Sequence, residues 1–276
     1  MSKSAKVLFI CISLKQSLER RKAIELEFIK LRQAVSDIEI ELEFFNAIYG
    51  KDLTAETLAL INIAREQAGQ CKRPMSTGEI GCMLSHLFLW QRISEQRYAA
   101  YDRVVIIEDD VYLAAHHQHT AQLHSILNNP AEFIFLSGHS KKARTRILGY
   151  VSEDQTYFNM LGSTYQYSIS CAYTTTPEQA KKMLYKLIKK PSYLDDWKYL
   201  LSNLYSIPYY YFFDVDDEEV STIGAEREKV SASNQTQVNR IAKNSYKISQ
   251  DILTYLRCIF HISKIQHLSK FIEKLK

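Results

Sequence analysis

The stretch that most restricts the fold is Val104-Val105-Ile106-Ile107-Glu108-Asp109-Asp110-Val111, in which four aliphatic residues run straight into three carboxylates. Two of the four are Val, which is stiff at χ1 and favours a strand. A short unbroken apolar run bounded by polar residues reads as a strand buried on both faces, as in an α/β sheet. Such sheets hold ligands outside the carboxyl ends of their strands, where these acids fall. Three adjacent carboxylates repel one another unless a cation sits among them. Hard divalent ions such as Mg²⁺ and Mn²⁺ take oxygen ligands and bridge phosphates. From this stretch alone a solvated acidic turn is an equal alternative.

The flanking sequence has α/β order. Residues 7–14 (VLFICISL) predict a buried strand, and Ser17 a helix N-cap. Ile24, Phe28 and Leu31 then recur at helical spacing, and residues 41–48 (ELEFFNAI) predict a second strand. This β-α-β opening implies a parallel sheet. A short helix is expected over 54–64. Ser76 and Glu79 form an S-x-x-E capping box that opens a helix running to about Ser94. Residues 133–136, 169–175 and 209–213 predict further strands, whereas 149–167 read as an excursion from the core. Thr176 as N-cap and Pro177 at the first helical position start a helix to about Ile188. Asp195-Asp196-Trp197 opens another.

Charge is uneven along the chain. The formal net charge is +4, yet residues 240–276 hold eight Lys/Arg against two acids, so the body is nearly neutral and the tail basic. Ile248, Ile252, Tyr255, Ile259 and Ile262 follow a 3–4 spacing, as do Leu268, Phe271 or Ile272, and Leu275. Basic amphipathic helices of this kind bind anionic membrane surfaces or pack on a partner, and packing on their own domain is an equal alternative. Cys11, Cys71, Cys82, Cys171 and Cys258 are odd in number and form no CxxC pair, which suits a reducing compartment. The apolar run at 7–14 is too short for a signal peptide, and no stretch approaches the ~18 apolar residues of a membrane span. A cytoplasmic location touching a membrane is therefore expected. The basic loop with Lys141, Lys142, Arg144 and Arg146 lacks interleaved aromatics, so no nucleic-acid partner is expected.

Further residues could carry chemistry. Glycines at 78 and 81 are costly in a helix unless something approaches closely. Glu79, Cys82 and His86 can share a helix face, but they lack zinc-site spacing, and a core helix with a satisfied His is the plainer reading. One carboxylate of Asp195-Asp196 could serve as general base on an acceptor hydroxyl, against simple N-capping. His116-His117-x-His119 looks like a metal tract but lies in a polar, exposed stretch.

Together these residues resemble glycosyltransferase family 25, the bacterial lipooligosaccharide glycosyltransferases, to which a domain of the collagen galactosyltransferases is related. The likeness lies in STGEIGCMLSHLFLW (76–90), VVIIEDDVYL (104–113), FFNAIYGKDL (44–53), SCAYTTTPEQAKKML (170–184) and LDD (194–196). It departs from the family at Ser13, where Asn is usual, at Gln179, where a small Gly is usual, and at Leu194, where Val is usual. The resemblance implies a GT-A-like nucleotide-sugar domain, here with a mostly parallel sheet over 1–225; the residues themselves add a basic helical tail over 226–276. It implies an inverting transfer of galactose, or less often glucose, from a UDP-hexose to a hydroxyl of a lipid-linked oligosaccharide. It implies Mn²⁺ or Mg²⁺ at Glu108, Asp109 and Asp110; since an inverting displacement needs one base, Asp195 is expected in that part, with Asp196 behind it. Arg20, Arg21, Glu79, Ser85, His86 and Gly138 are expected to bind donor or acceptor. The expected location is the inner face of the cytoplasmic membrane, in agreement with the basic tail. The rival expectation is a non-catalytic, membrane-docked nucleotide-sugar or glycan-binding protein of the same fold.

Overall fold

The computed structural model describes residues 4–69, 73–115, 118–137, 147–161, 171–215, 264 and 266–275. The β-α-β opening is present as β1 (Ala5–Ser13), α1 (Leu18–Ala34) and β2 (Ile38–Asn46), with β2 parallel to β1. β2 begins before the expected residue because Ile38 and Ile40 are already buried in the core. Ser17 stands at the N-cap of α1 without a side-chain capping bond. Thr54, Ser76 and Thr176 do cap, and they open α2 (Ala55–Gln67), α3 (Thr77–Ser94) and α5 (Pro177–Lys189); between α3 and α5 lies α4 (His119–Asn128).

The remaining strands are β3 (Arg103–Glu108), β4 (Val111–Leu113), β5 (Phe133–Ser137), β6 (Leu148–Val151), β7 (Phe158–Met160), β8 (Ala172–Thr175), β9 (Ile207–Val215) and β10 (Gln266–His267). A short 3-10 helix (Gly50–Asp52) and two more α-helices, α6 (Trp197–Leu200) and α7 (Leu268–Leu275), complete the described elements. One sheet runs β10-β6-β7-β9-β5-β8-β3-β1-β2, with β4 paired to β9. The sheet is mixed, not mostly parallel. Of the nine pairings among the described residues only β1–β2, β1–β3 and β5–β9 are parallel. A parallel neighbour needs a long crossover. Only residues 152–157 separate β6 from β7, so these two pair antiparallel. The stretch expected to leave the core over 149–167 instead adds both of these strands to the sheet.

Period-2 alternation splits the inner strands between two cores. Leu8, Ile10 and Ile106 face α3, α5, α6 and α7, while Val7, Phe9, Cys11, Val105 and Ile107 face α1 and α4. The run at 104–107 is thus buried on both faces, as its composition requires. α4, unpredicted from the sequence, starts at His119 of the stretch read as exposed; it buries Leu123 and Ile126, and the His119 ring meets Phe212 edge-on at 5.2 Å. His116 and His117 lie outside the described residues.

The end of the chain joins the same body. β10 pairs with β6, and Leu268, Phe271 and Ile272 of α7 are buried, with Phe271 5.8 Å from the ring of Phe158. The apolar face of this helix is spent on its own sheet. It does not offer itself to an anionic membrane surface, which corrects that expectation for residues 268–275. Ile248, Ile252, Tyr255, Ile259 and Ile262 lie outside the described residues, as does the expected boundary at 225/226. No helix among the described residues is long and apolar enough to cross a membrane.

Candidate active site

β3 delivers its acids at its carboxyl end. Glu108 is the last residue of the strand, and Asp109 and Asp110 form the turn into β4. The three do not act alike. Asp109 is committed to the protein: its Oδ2 accepts from Ser13 Oγ at 2.6 Å and its Oδ1 meets Arg20 Nη1 at 3.2 Å. Arg21 braces the same corner. It donates to the Ser13 carbonyl at 2.9 Å and to Asn46 Oδ1 at 2.7 Å, and its guanidinium lies 5.0 Å over the Phe44 ring. Ser13, the residue at which the sequence departs from the expected Asn, is therefore what holds Asp109.

Asp110 is the opposite case. Its Oδ1 is shielded from solvent and has no hydrogen-bond partner among the described residues. Burial, followed by the charges of Glu108 and Asp109, pushes its carboxyl up to about 7. An acid held this way is stabilised either by a proton or by a cation.

Glu108 faces α3. Its Oε1 lies 3.3 Å from Nε2 of His86, which is fully buried. Among the described residues, Cys82, His86 and Glu108 are the one set of three metal-capable side chains whose ligand atoms converge, all within 4.8 Å of one another. The helix-face trio of Glu79, Cys82 and His86, which lacks zinc-site spacing and reads more plainly as core helix, is indeed not the set that converges. Glu79 closes the capping box with Ser76 and is gripped by Arg73 through two contacts of 2.7 and 2.8 Å. Ser85 is also consumed by the fold: it accepts from the Ile48 N–H at 2.8 Å and donates to the Gly81 carbonyl at 2.7 Å. Gly81 lets the segment 48–50 approach, for a Cβ there would sit 2.6 Å from the Ile48 carbonyl oxygen. The sequence block at 76–86 thus contributes His86, and through it a hold on Glu108, while Glu79 and Ser85 build structure.

Asp196 occupies the N-cap position of α6, yet its side chain makes no capping bond. Capping therefore does not account for this carboxylate. The turn that carries it is pinned from both sides. Tyr193 donates to the Arg73 carbonyl at 3.2 Å, and its ring meets the guanidiniums of Arg65 at 4.5 Å and Arg73 at 4.8 Å. On the other side Trp197 packs on Tyr173 at 5.5 Å, and Tyr173 stacks on His86 at 5.8 Å. A continuous aromatic path thus joins the 195–196 turn to the residue that meets Glu108. Tyr173, Trp197 and Ser13 went unread as site residues in the sequence. The hydrogen-bond partners of Tyr173 are 83 and 87 residues away and Asp109 is 96 from Ser13, so no local spacing announces them. Gly138, Lys141, Lys142, Arg144 and Arg146 lie outside the described residues.

Comparison with known proteins sets this geometry in context. The family described as glycosyltransferase family 25 (LPS biosynthesis protein) matches residues 7–197. The chain belongs to that family. A candidate glycosyltransferase of Haemophilus influenzae is 31% identical over 65% of this chain and 57% of its own length. Human procollagen galactosyltransferase 2 is 29% identical over 43% of this chain and 17% of its own. The chain thus spans little over half of the first relative and a small part of the second. A solved structure, the bifunctional glycosyltransferase WbbM in its apo form, aligns at a TM-score of 0.40 and 11% identity over 74% of this chain and 38% of that one. The matched span ends on Trp197, so it includes every described candidate residue.

Proposed function

We propose that this family 25 glycosyltransferase is a metal-dependent, inverting hexosyltransferase that moves galactose, or less readily glucose, from a UDP-sugar to a hydroxyl of a lipid-linked oligosaccharide. The observation that carries the reading is Asp110, a shielded carboxylate with an unpartnered oxygen at the carboxyl end of a central strand. The donor set is all hard oxygen, which fits Mn²⁺ or Mg²⁺. A bound divalent ion would neutralise the departing diphosphate. Asp110 and Glu108 would hold it. Asp109, tied to Ser13 and Arg20, shapes the turn, and the Arg20 guanidinium adds positive charge beside the diphosphate. An inverting displacement needs one base on the acceptor hydroxyl. Asp195 takes that part, with Asp196 behind it, on a turn pinned by Tyr193 and Trp197. The named activity of the procollagen relative favours galactose. The acceptor places the reaction at the inner face of the cytoplasmic membrane, though α7 is not what holds the protein there.

The test is a panel of UDP-sugars with Mn²⁺ and a lipooligosaccharide acceptor, read as UDP release and as product. UDP-galactose should turn over fastest, and EDTA should stop it. Turnover that survives EDTA would remove the metal from the reading. UDP-galactose binding without any turnover would favour the non-catalytic alternative.

A further inference from the structure

We infer that His86 is a positioning residue for Glu108, with its ring proton carried on Nε2, and that Tyr173 and Trp90 impose this tautomer. The inference rests on the metal reading of the acidic turn given above. His86 sits on α3, fully buried, with Nδ1 2.7 Å from the Tyr173 hydroxyl. The same hydroxyl accepts from Trp90 Nε1 at 2.8 Å. An indole N–H only donates, so the tyrosine oxygen is the acceptor in that contact. The hydroxyl keeps its own proton, because burial raises Tyr173 well above the ordinary phenol range. That proton needs an acceptor, since an unmet buried donor is costly. Among the described residues, His86 Nδ1 is the atom placed to accept it. With Nδ1 accepting, the ring proton lies on Nε2, 3.3 Å from Glu108 Oε1. Nε2 has no other partner among the described residues. The approach is within ion-pair reach but off the line of a full hydrogen bond, as in sites that tighten on ligand binding.

The same geometry separates two chemistries for the convergent Cys82, His86 and Glu108. A soft metal on these three would need the Nε2 lone pair. Nδ1–H would then donate to Tyr173, whose oxygen would accept twice while its own proton was stranded in the core. The hydrogen-bond arrangement therefore disfavours a thiolate–imidazole metal centre. It makes the imidazole a donor that sets the direction of the Glu108 carboxylate, as a group behind a metal ligand does.

The experiment uses the full chain with ¹⁵N-labelled histidine. The His86 signal, identified by its loss in His86→Gln, should show a protonated Nε2 and an unprotonated Nδ1, and Tyr173→Phe should mix the two tautomers. Mn²⁺ affinity, read by electron paramagnetic resonance of the free ion, should fall at least tenfold in His86→Leu and less in His86→Gln, whose amide can still donate to Glu108. Should His86→Leu fail to fold, the tautomer and the Tyr173→Phe comparison still decide. A proton on Nδ1 in the wild type, or a cobalt–thiolate absorption band on adding Co²⁺, would overturn the inference. Equal Mn²⁺ affinity in folded wild type and His86→Leu would do the same. A protonated Nε2 in a protein that binds no Mn²⁺ would instead defeat the metal reading of the turn and leave the tautomer standing.

Discussion

In the first turns of α3, Glu79 closes a cap and grips Arg73, and Ser85 seats the 48–50 backbone. In the turn after β3, Asp109 is similarly occupied by Ser13 and Arg20, but Asp110 keeps an oxygen that is shielded and unpartnered. Both segments are dense in polar residues and both carry the family likeness. The difference lies in what the fold consumes. A polar group whose bonds are satisfied locally contributes to stability, whereas one left unpaired at a cost is a candidate for binding. Sequence density of polar residues does not separate the two cases.

The contrast can be broken in four ways. Asp110→Asn has the largest expected effect, a loss of turnover on the order of 10³-fold with the melting temperature unchanged or raised. Kinetics with UDP-sugar and a thermal melt on the same preparation check it. A large fall in stability instead would make Asp110 structural. Glu79→Gln should do the reverse: it breaks a pair with 3% and 19% exposed side chains, and a loss of about 3 kcal/mol in chemical denaturation is expected. Turnover by the folded protein should stay within about tenfold of wild type. Gly81→Ala puts a methyl against the Ile48 carbonyl, with an expected cost of about 2 kcal/mol and unchanged Mn²⁺ affinity.

The smallest effect concerns pH. The Asp110 carboxyl stands at about 7 in the fold, above the ordinary carboxyl value near ~4 that it takes in the unfolded chain. The folded state therefore holds that proton more tightly. In EDTA its contribution to stability is complete below about pH 4 and is lost as pH rises through about 7. The amount is on the order of 1 kcal/mol once solvent screening of a partly buried side chain is allowed for. Melts in EDTA across this range should slope downward for wild type and less for Asp110→Asn, and Mn²⁺ at pH 8 should restore the loss. A flat wild-type profile would mean that the turn opens to solvent.

Much of the fold was legible because local physics writes it into neighbouring residues. The capping box at Ser76 and Glu79, the Thr176-Pro177 helix start and the doubly buried run at 104–107 each depend on residues within a few positions of one another. β4, β6, β7 and β10 were missed since each is four residues or fewer and takes its stability from partners elsewhere in the sheet. The mostly parallel sheet was wrong for the same reason, as strand direction depends on connections and not on the strand's own sequence. In the site, the three acids and His86 were visible as residue types. Their division of labour was not, because Ser13 and Tyr173 reach them from far along the chain.

By itself, then, the sequence determined most of the helices, though not α4, and the central strands, the acid cluster at the end of one of them, and the resemblance to family 25. These follow from local periodicity, from capping chemistry and from contiguous motifs. Only the tertiary structure decided that Asp109 is bound to Ser13 and Arg20 while Asp110 is not, that Glu79 serves Arg73, and that Phe271 and Ile272 turn inward. Each of those outcomes depends on which distant group arrives first at a polar atom or an apolar face, and burial makes that arrival decisive.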